Sequence, residues 1–304
     1  VARDGLLVLD KPAGPTSHDV VERVRRVLGT RRVGHGGTLD PDATGVLLVA
    51  VGQATRFFPF LSRERKVYEG RIRLGFATDT YDASGRPISA AASVLPGRDE
   101  IAAAMAGFVG EILQVPPRFS AKKLDGQPVY KLARADREFT LAPVPVTVVR
   151  FDLRDFRPPG IDFEAECSAG TYIRSLAHDL GERLGCGAHL AALRRTRVGP
   201  YGLDQAVALD AFEDAGARGE AEKLLVPLEG LLPDVPAVHV RPEAEAFVRN
   251  GRPIGPSESA APLPDPAAVT AAGLVRLIAG DGRLLALARP AAGGALLHPF
   301  LVLS

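Results

Sequence analysis

The chain has no tryptophan, one methionine and two cysteines among its 304 residues. Two cysteines, Cys167 and Cys186, give no disulfide framework and no zinc spacing. They read as small buried hydrophobes in a protein of a reducing compartment. Long apolar runs are missing too. The longest, such as residues 46–51, are about six residues, against roughly twenty needed to span a bilayer. No apolar signal stretch opens the sequence, since Arg3 and Asp4 precede Leu6. The histidines at 18, 35, 178, 189, 239 and 298 show no metal-ligand spacing. A Walker loop and a G-x-G-x-x-G fingerprint after a strand are also absent. These absences set the expectation of a cytoplasmic globular protein with no membrane span, no metal and no nucleotide cofactor.

Net charge is +1, so there is no global excess of either sign. Its distribution is uneven. Residues 22–35 hold five Arg against one acid, 118–137 hold six Lys/Arg against two, and 183–197 hold four Arg and no acid. The rest of the chain is left with 22 basic against 33 acidic residues. Concentrated positive charge on an otherwise acidic chain is the pattern of a phosphate-binding face. A single arginine run is more often only a solvated helix face; three in one chain weaken that alternative.

The residues with the densest chemical content are Gly34-His35-Gly36-Gly37-Thr38-Leu39-Asp40-Pro41-Asp42-Ala43-Thr44-Gly45. Four glycines and a proline make a tight turn around one imidazole and the Asp40 carboxylate. The apolar run 46–51 follows at once and reads as a buried strand anchoring the loop. Taken alone, Asp40 could be a turn cap before Pro41, and His35 an ordinary loop histidine.

Organisation along the chain is irregular, which favours a mixed sheet over a doubly wound parallel one. A strand is expected over 5–9 and a helix over 17–28, with Thr16 or Ser17 as N-cap and Gly29 as terminator. Further strands are expected at 46–51, 66–75, 144–156 and 161–167, and helices at 99–109 and 171–184. A boundary falls at 232–236. Beyond it, short strand-like pieces and Gly, Pro and Asp turns suggest a small β-rich domain. Residues 255–267, rich in Pro and Gly, read as a mobile loop.

Five segments stand in order: Leu9-Asp10-Lys11-Pro12-Ala13-Gly14, the Asp40 loop, Gly52-Gln53-Ala54-Thr55-Arg56 with Lys66-Val67-Tyr68, Gly170-Thr171-Tyr172-Ile173-Arg174, and Leu193-Arg194-Arg195. Together they resemble the TruB-type bacterial tRNA pseudouridine synthases, which isomerise the T-loop uridine at tRNA position 55. The resemblance covers about residues 5–232, and the C-terminal segment is similar to a PUA RNA-binding domain. It implies an α+β fold: a mixed, largely antiparallel sheet with flanking helices as the catalytic domain (1–232, with a basic RNA-binding insert near 118–137), and a small β-barrel-like PUA domain at 237–304.

The resemblance also assigns residues. Asp40 matches the catalytic aspartate, Arg174 its partner, and Tyr68 the tyrosine that packs on the target base and takes a proton. Tyr172 and Leu193 match the lining of the uracil pocket. His35 matches the histidine that fills space left by flipped nucleotides. Lys11 and Arg56 stand at phosphate-binding or loop-bracing positions; Arg56 replaces the more usual lysine. Lys122 and Lys123 are expected to hold RNA phosphates. Asp82 is expected to support RNA-binding basic residues without taking part in chemistry. The reaction needs no cofactor, because nothing is oxidised and no phosphate is spent. The expected partner is the T-arm stem-loop of tRNA, with no guide RNA and no obligate protein partner. Two other readings stay open: a guide-directed relative acting on another RNA, and an RNA chaperone without turnover.

Overall fold

The computed structural model describes residues 4–120, 123–124, 127–129, 139–291 and 296–303. Most of the basic insert, including Lys122 and the side chain of Lys123, lies outside the described residues.

One large sheet organises residues 5–208. Its strands are β1 (Gly5–Lys11), β2 (Val33–Gly36), β3 (Thr44–Val51), β4 (Lys66–Leu74), β5 (Gly110–Gln114), β8 (Val144–Arg157), β9 (Gly160–Cys167), β10 (Ala188–Val198), β11 (Tyr201–Gly202) and β12 (Val207–Ala208); the short pair β6 (Lys123–Leu124) and β7 (Gln127–Pro128) stands apart. The order is β12-β1-β3-β10-β4-β9-β8-β5, with β2 added to β3 and β11 to β10. Only the β1–β12 and β3–β10 pairs are parallel, so the expected mixed, largely antiparallel sheet is what forms.

The apolar run 46–51 is buried at every position because both faces of β3 are covered. Leu7, Leu9, Leu47, Val49 and Val51 face one cluster with Val20, Val21 and Val24 of helix α1 (Ser17–Leu28). Leu6, Val8, Val46, Leu48 and Ala50 face the opposite cluster, as the two-residue period of a strand requires. Thr16 caps α1 through a capping box with Asp19, and Gly29 ends it at φ 62°; such a cap contributes about 1 kcal/mol.

Across the other half of the sheet, Tyr68, Ile72, Ile161, Phe163, Val148 and Phe151 form one core with helix α3 (Arg98–Ala106) and helix α4 (Ile173–Arg183); α2 is the single turn Phe58–Leu61. The far face is wet and carries ion pairs such as Arg71–Asp162 at 2.6 Å and Arg154–Glu164 at 2.8 Å.

A second sheet, β13 (Ala237–His239), β14 (Val275–Ile278), β15 (Leu284–Ala291) and β16 (Leu296–Val302), occupies the C-terminal part in that order. It has its own core, yet Ile278, Leu284, Leu287, Leu301 and Leu303 belong to the cluster that covers Leu6, Val8 and Leu48. The two sheets therefore share an apolar core. The expected mobile loop at 255–267 is tied down at Ser259, which is buried and bridges Val240.

Candidate active site

The Asp40 loop is built on three buried side chains that donate to main-chain carbonyls. Lys11, at the end of β1, is fully buried; its Nζ donates to Pro12 O (2.8 Å), Pro41 O (2.9 Å) and Ala43 O (2.8 Å). Arg195 on β10 donates from Nε to Val46 O (2.7 Å) and from Nη2 to Gly37 O (3.0 Å). Ser17 donates to Leu39 O (3.0 Å) and accepts from Leu39 N (2.9 Å). Gly45, at φ 100°, passes so close to β10 that a Cβ there would lie 2.1 Å from Arg195 O. Only glycine fits, in both space and dihedral.

Held this way, the Asp40 carboxylate meets Arg174 at the start of α4. Arg174 Nε lies 2.9 Å from Oδ2, and Nη2 donates to Oδ1 at 3.2 Å. This two-pronged grip fixes the plane of the carboxylate as a lysine could not. The Arg174 side chain is 7% exposed while that of Asp40 keeps 43% of its surface open. The cation is thus the buried anchor, and the anion keeps an open side to solvent. Three further groups orient the guanidinium: Thr80 O (3.2 Å), Phe119 O (3.0 Å) and the Asp82 carboxylate (3.4 Å).

Burial pushes the Asp40 carboxyl up from its ordinary range; Arg174 pulls it back, Asp82 adds to the rise and Lys11 opposes it. The sequence suggested only the favourable arginine. The desolvating loop outweighs it.

Tyr68 stands on β4 directly across from Arg195 and is buried. Burial raises its hydroxyl pKa, and the Arg195 charge works against the rise. It therefore rests as the phenol at neutral pH. Behind it, Lys66 donates to Ser62 O (3.0 Å) and Glu64 O (2.7 Å); burial, reinforced by Arg195, pulls its ammonium down to about 8.

Tyr172 is the N-cap residue of α4, and its main chain is clasped by the buried Gln114, which accepts from Tyr172 N (2.7 Å) and donates to Tyr172 O (3.0 Å). Leu193 is half-buried and packs against the cores of both halves of the sheet. His35 is half-buried on β2 with its Nδ1 enclosed and without a partner; burial, then the Arg195 charge, lowers its pKa.

Two substrate-binding expectations change. Of the two roles left open for Lys11, phosphate contact and loop bracing, its burial selects the second. Arg56 is exposed, but its Nη1 donates to Val302 O (2.5 Å) of the C-terminal sheet. Asp82 moves the other way, from a supporter of RNA-binding residues to a direct neighbour of Arg174. Its place between Thr80 and Ser84, which donate to Oδ1 at 2.7 and 2.5 Å, leaves Oδ2 for the arginine. Arg195, Gln114 and Ser17 were missed as site residues. Arg195 stood in a basic run and in the Leu193-Arg194-Arg195 segment with no role assigned to it, Ser17 was only an N-cap alternative, and Gln114 carried no signal.

No group of three or more possible metal ligands occurs among the described residues, nor any helix long and apolar enough to cross a membrane.

Residues 25–173 match the TruB family pseudouridylate synthase (N terminal domain), and residues 174–233 match the tRNA pseudouridylate synthase B C-terminal domain. The chain is 45% identical over 299 residues to tRNA pseudouridine synthase B of Thermobifida fusca, covering 95% of this chain and 96% of the relative. It is 48% identical over 232 residues to the protein of that name from Opitutus terrae, covering 76% and 96%. Among solved structures, an H/ACA RNP bound to a substrate RNA containing 2'-deoxyuridine superposes with a TM-score of 0.73 at 28% identity, covering 98% of this chain and 84% of that one. With a family match across the Asp40 loop and full-length relatives above 40% identity, this chain belongs to the TruB family of pseudouridine synthases, isomerases that convert uridine to pseudouridine in tRNA.

Proposed function

We propose that the uridine isomerised is the one in the T-loop at tRNA position 55, everted from its stack and placed over Asp40. The observation that carries this reading is a carboxylate gripped on both oxygens by a buried arginine yet still partly open to solvent. A binder of a polyanion gains nothing from an anion in that place. The reaction breaks N1–C1′ and joins C5 to C1′. Asp40 supplies the nucleophile, or the negative charge that stabilises the sugar as the glycosidic bond opens. Tyr68 packs on the base and moves the proton: the phenol gives its proton to the uracil anion left at N1 when N1–C1′ breaks, with Arg195 stabilising the phenolate as it forms, and the phenolate then takes the proton from C5 once C5–C1′ has joined. Tyr172 and Leu193 line the apolar side of the pocket, replacing the stacking that the base gives up on leaving the RNA. His35 fills space vacated in the T-loop. Lys122 and Lys123 hold phosphates.

Residues 1–232 act as the catalytic domain and 237–304 as a PUA-like RNA-binding domain. The enzyme works in the cytoplasm on free tRNA, without cofactor, guide RNA or obligate protein partner. Full-length similarity to proteins named tRNA pseudouridine synthase B favours this over the guide-directed reading.

The test is incubation of the pure protein with a T-arm stem-loop transcript, then nucleoside analysis and mapping. Pseudouridine at the position-55 uridine alone is expected. Modification elsewhere, or only with an added guide RNA, contradicts the reading.

A further inference from the structure

Tyr81 is a non-glycine residue held in the left-handed region, at φ 63°. A side chain there is strained, so something must hold it. Its ring lies flat on the imidazole of His178, with centroids 3.8 Å apart and planes 10° apart. His178 is four residues after Arg174 on α4, one helical turn along the same face. The two residues flanking Tyr81 both contact that arginine: Thr80 through its carbonyl (3.2 Å) and Asp82 through its carboxylate (3.4 Å).

The loop thus touches α4 at two points one turn apart, a polar one at Arg174 and a ring stack at His178. Two ties run to β10, where Leu190 N donates to Tyr81 O and Ala83 N donates to Leu190 O, each at 2.9 Å; within the loop, Tyr81 N donates to Thr78 O (3.2 Å) and Thr78 Oγ1 to Asp82 O (2.7 Å). Those bonds fix the loop's height on the strand. The Tyr81–His178 stack is the apolar contact that ties the loop to the helix. The strained φ turns the Tyr81 ring toward α4 while its neighbours face Arg174.

We propose that Tyr81 is a positioning residue, whose stack on His178 holds Thr80 and Asp82 against Arg174 and thereby sets the grip of Arg174 on Asp40. The inference rests on the assignment of Asp40 to catalysis. The Tyr81 hydroxyl has no part in it.

Tyr81→Gly relieves the strain at φ 63° and removes the ring, and His178→Ala breaks the same stack without the backbone freedom that glycine adds. The single-turnover rate on the T-arm stem-loop is expected to fall by about 10-fold or more, because small misplacements near reacting groups are costly. RNA affinity should stay within about two-fold, since the groups that hold phosphates are untouched. Tyr81→Phe should restore the wild-type rate. His178→Ala should match Tyr81→Gly, and the double variant should be no slower than either, as for two partners in one interaction. A second readout needs no RNA: the Arg174 Nε–H resonance of the free protein should lose its protection from exchange in Tyr81→Gly. An active wild type with an equally active Tyr81→Gly, additive losses in the double variant, or an unchanged Arg174 resonance would overturn the proposal while leaving the role of Asp40 intact. An inactive wild type counts against the T-loop assignment, and the Arg174 resonance still decides the proposal.

Discussion

Two regions of this molecule are rich in positive charge and use it in opposite ways. Beneath the Asp40 loop, Lys11, Lys66 and Arg195 are buried and donate to the carbonyls of residues 12, 41, 43, 62, 64, 37 and 46. Near the end of α1, Arg26, Arg31 and Arg32 are exposed and have no ion pair among the described residues; a cleft lined by Glu22, Arg25, Arg26, Gly29, Thr30 and Arg31 opens beside them. The first set fixes backbone. The second is free for phosphate. Charge counted along a sequence treats both alike, whereas burial separates a cation that shapes a loop from one that binds a polyanion.

The comparison breaks first at Arg195. Arg195→Met leaves Val46 O and Gly37 O without this donor, at about 1–3 kcal/mol each where they stay unpaired. It also releases the loop, and a displacement of about 1 Å near reacting groups can cost about 100-fold in rate. A lowered melting temperature with a rate loss of that order is expected. An unchanged rate would show that the loop holds itself.

Removal of residues 237–304 is the next largest change. It uncovers the cluster around Leu6, Val8, Leu48, Phe57 and Leu61. Burying a large apolar side chain is worth about 1.5–3 kcal/mol, so the remainder should be aggregation-prone or marginally folded by calorimetry. A soluble truncated protein with wild-type stability would mean that the shared core is dispensable.

Lys66 gives a smaller effect with a definite sign. Its folded-state pKa, about 8, lies below the ordinary 10.5. Between those values the unfolded chain binds more protons than the folded one. This group's contribution to stability therefore rises with pH across that window and is flat below it. Chemical denaturation between the two pKa values should show a component of that slope in wild type and none in Lys66→Met. Equal slopes would mean that Lys66 is not desolvated.

The smallest effect belongs to the exposed set. Arg31→Ala with Arg32→Ala should weaken RNA binding and reduce the salt slope by about 0.7–0.9 for each phosphate that is no longer neutralised. The rate at saturating RNA should not change. A lower saturated rate with an unaltered slope would put these arginines in the wrong class.

Local features of the fold were legible because neighbours in sequence decide them. An N-cap at Thr16 or Ser17, the Gly29 stop and the buried run of β3 follow from spacing alone, and the structure selects Thr16. The glycine-framed Asp40 and its family match to Arg174 also survived as a pair in contact. What escaped depends on residues far apart in the chain. Arg195 is buried because β10 passes under the loop at Gly45, and nothing in Leu193-Arg194-Arg195 says which arginine turns inward. Arg194 instead reaches Asp10 at 2.7 Å. Lys11 could not be placed between phosphate and loop until its three carbonyl partners were known. Asp82 looked peripheral because its contact with Arg174 spans 92 residues of chain. Arg183, counted with the phosphate-binding runs, lies over the Phe108 ring, 4.1 Å from its centroid. The C-terminal sheet read as a separate unit because the apolar face it shares with β1 and β3 is formed only by tertiary contact.

The most direct test of the account is Asp40→Asn, assayed in single turnover on the T-arm stem-loop beside a binding measurement on the same RNA. The amide keeps the shape and loses the charge and the nucleophile. Pseudouridine formation should fall by roughly 1,000-fold or more, with RNA affinity within a few-fold. Wild-type activity should also fall on the acid side through a pKa above the ordinary carboxylate range, since burial raises the Asp40 pKa. Turnover in Asp40→Asn close to that of the wild-type protein would contradict the central claim that this carboxylate does the chemistry.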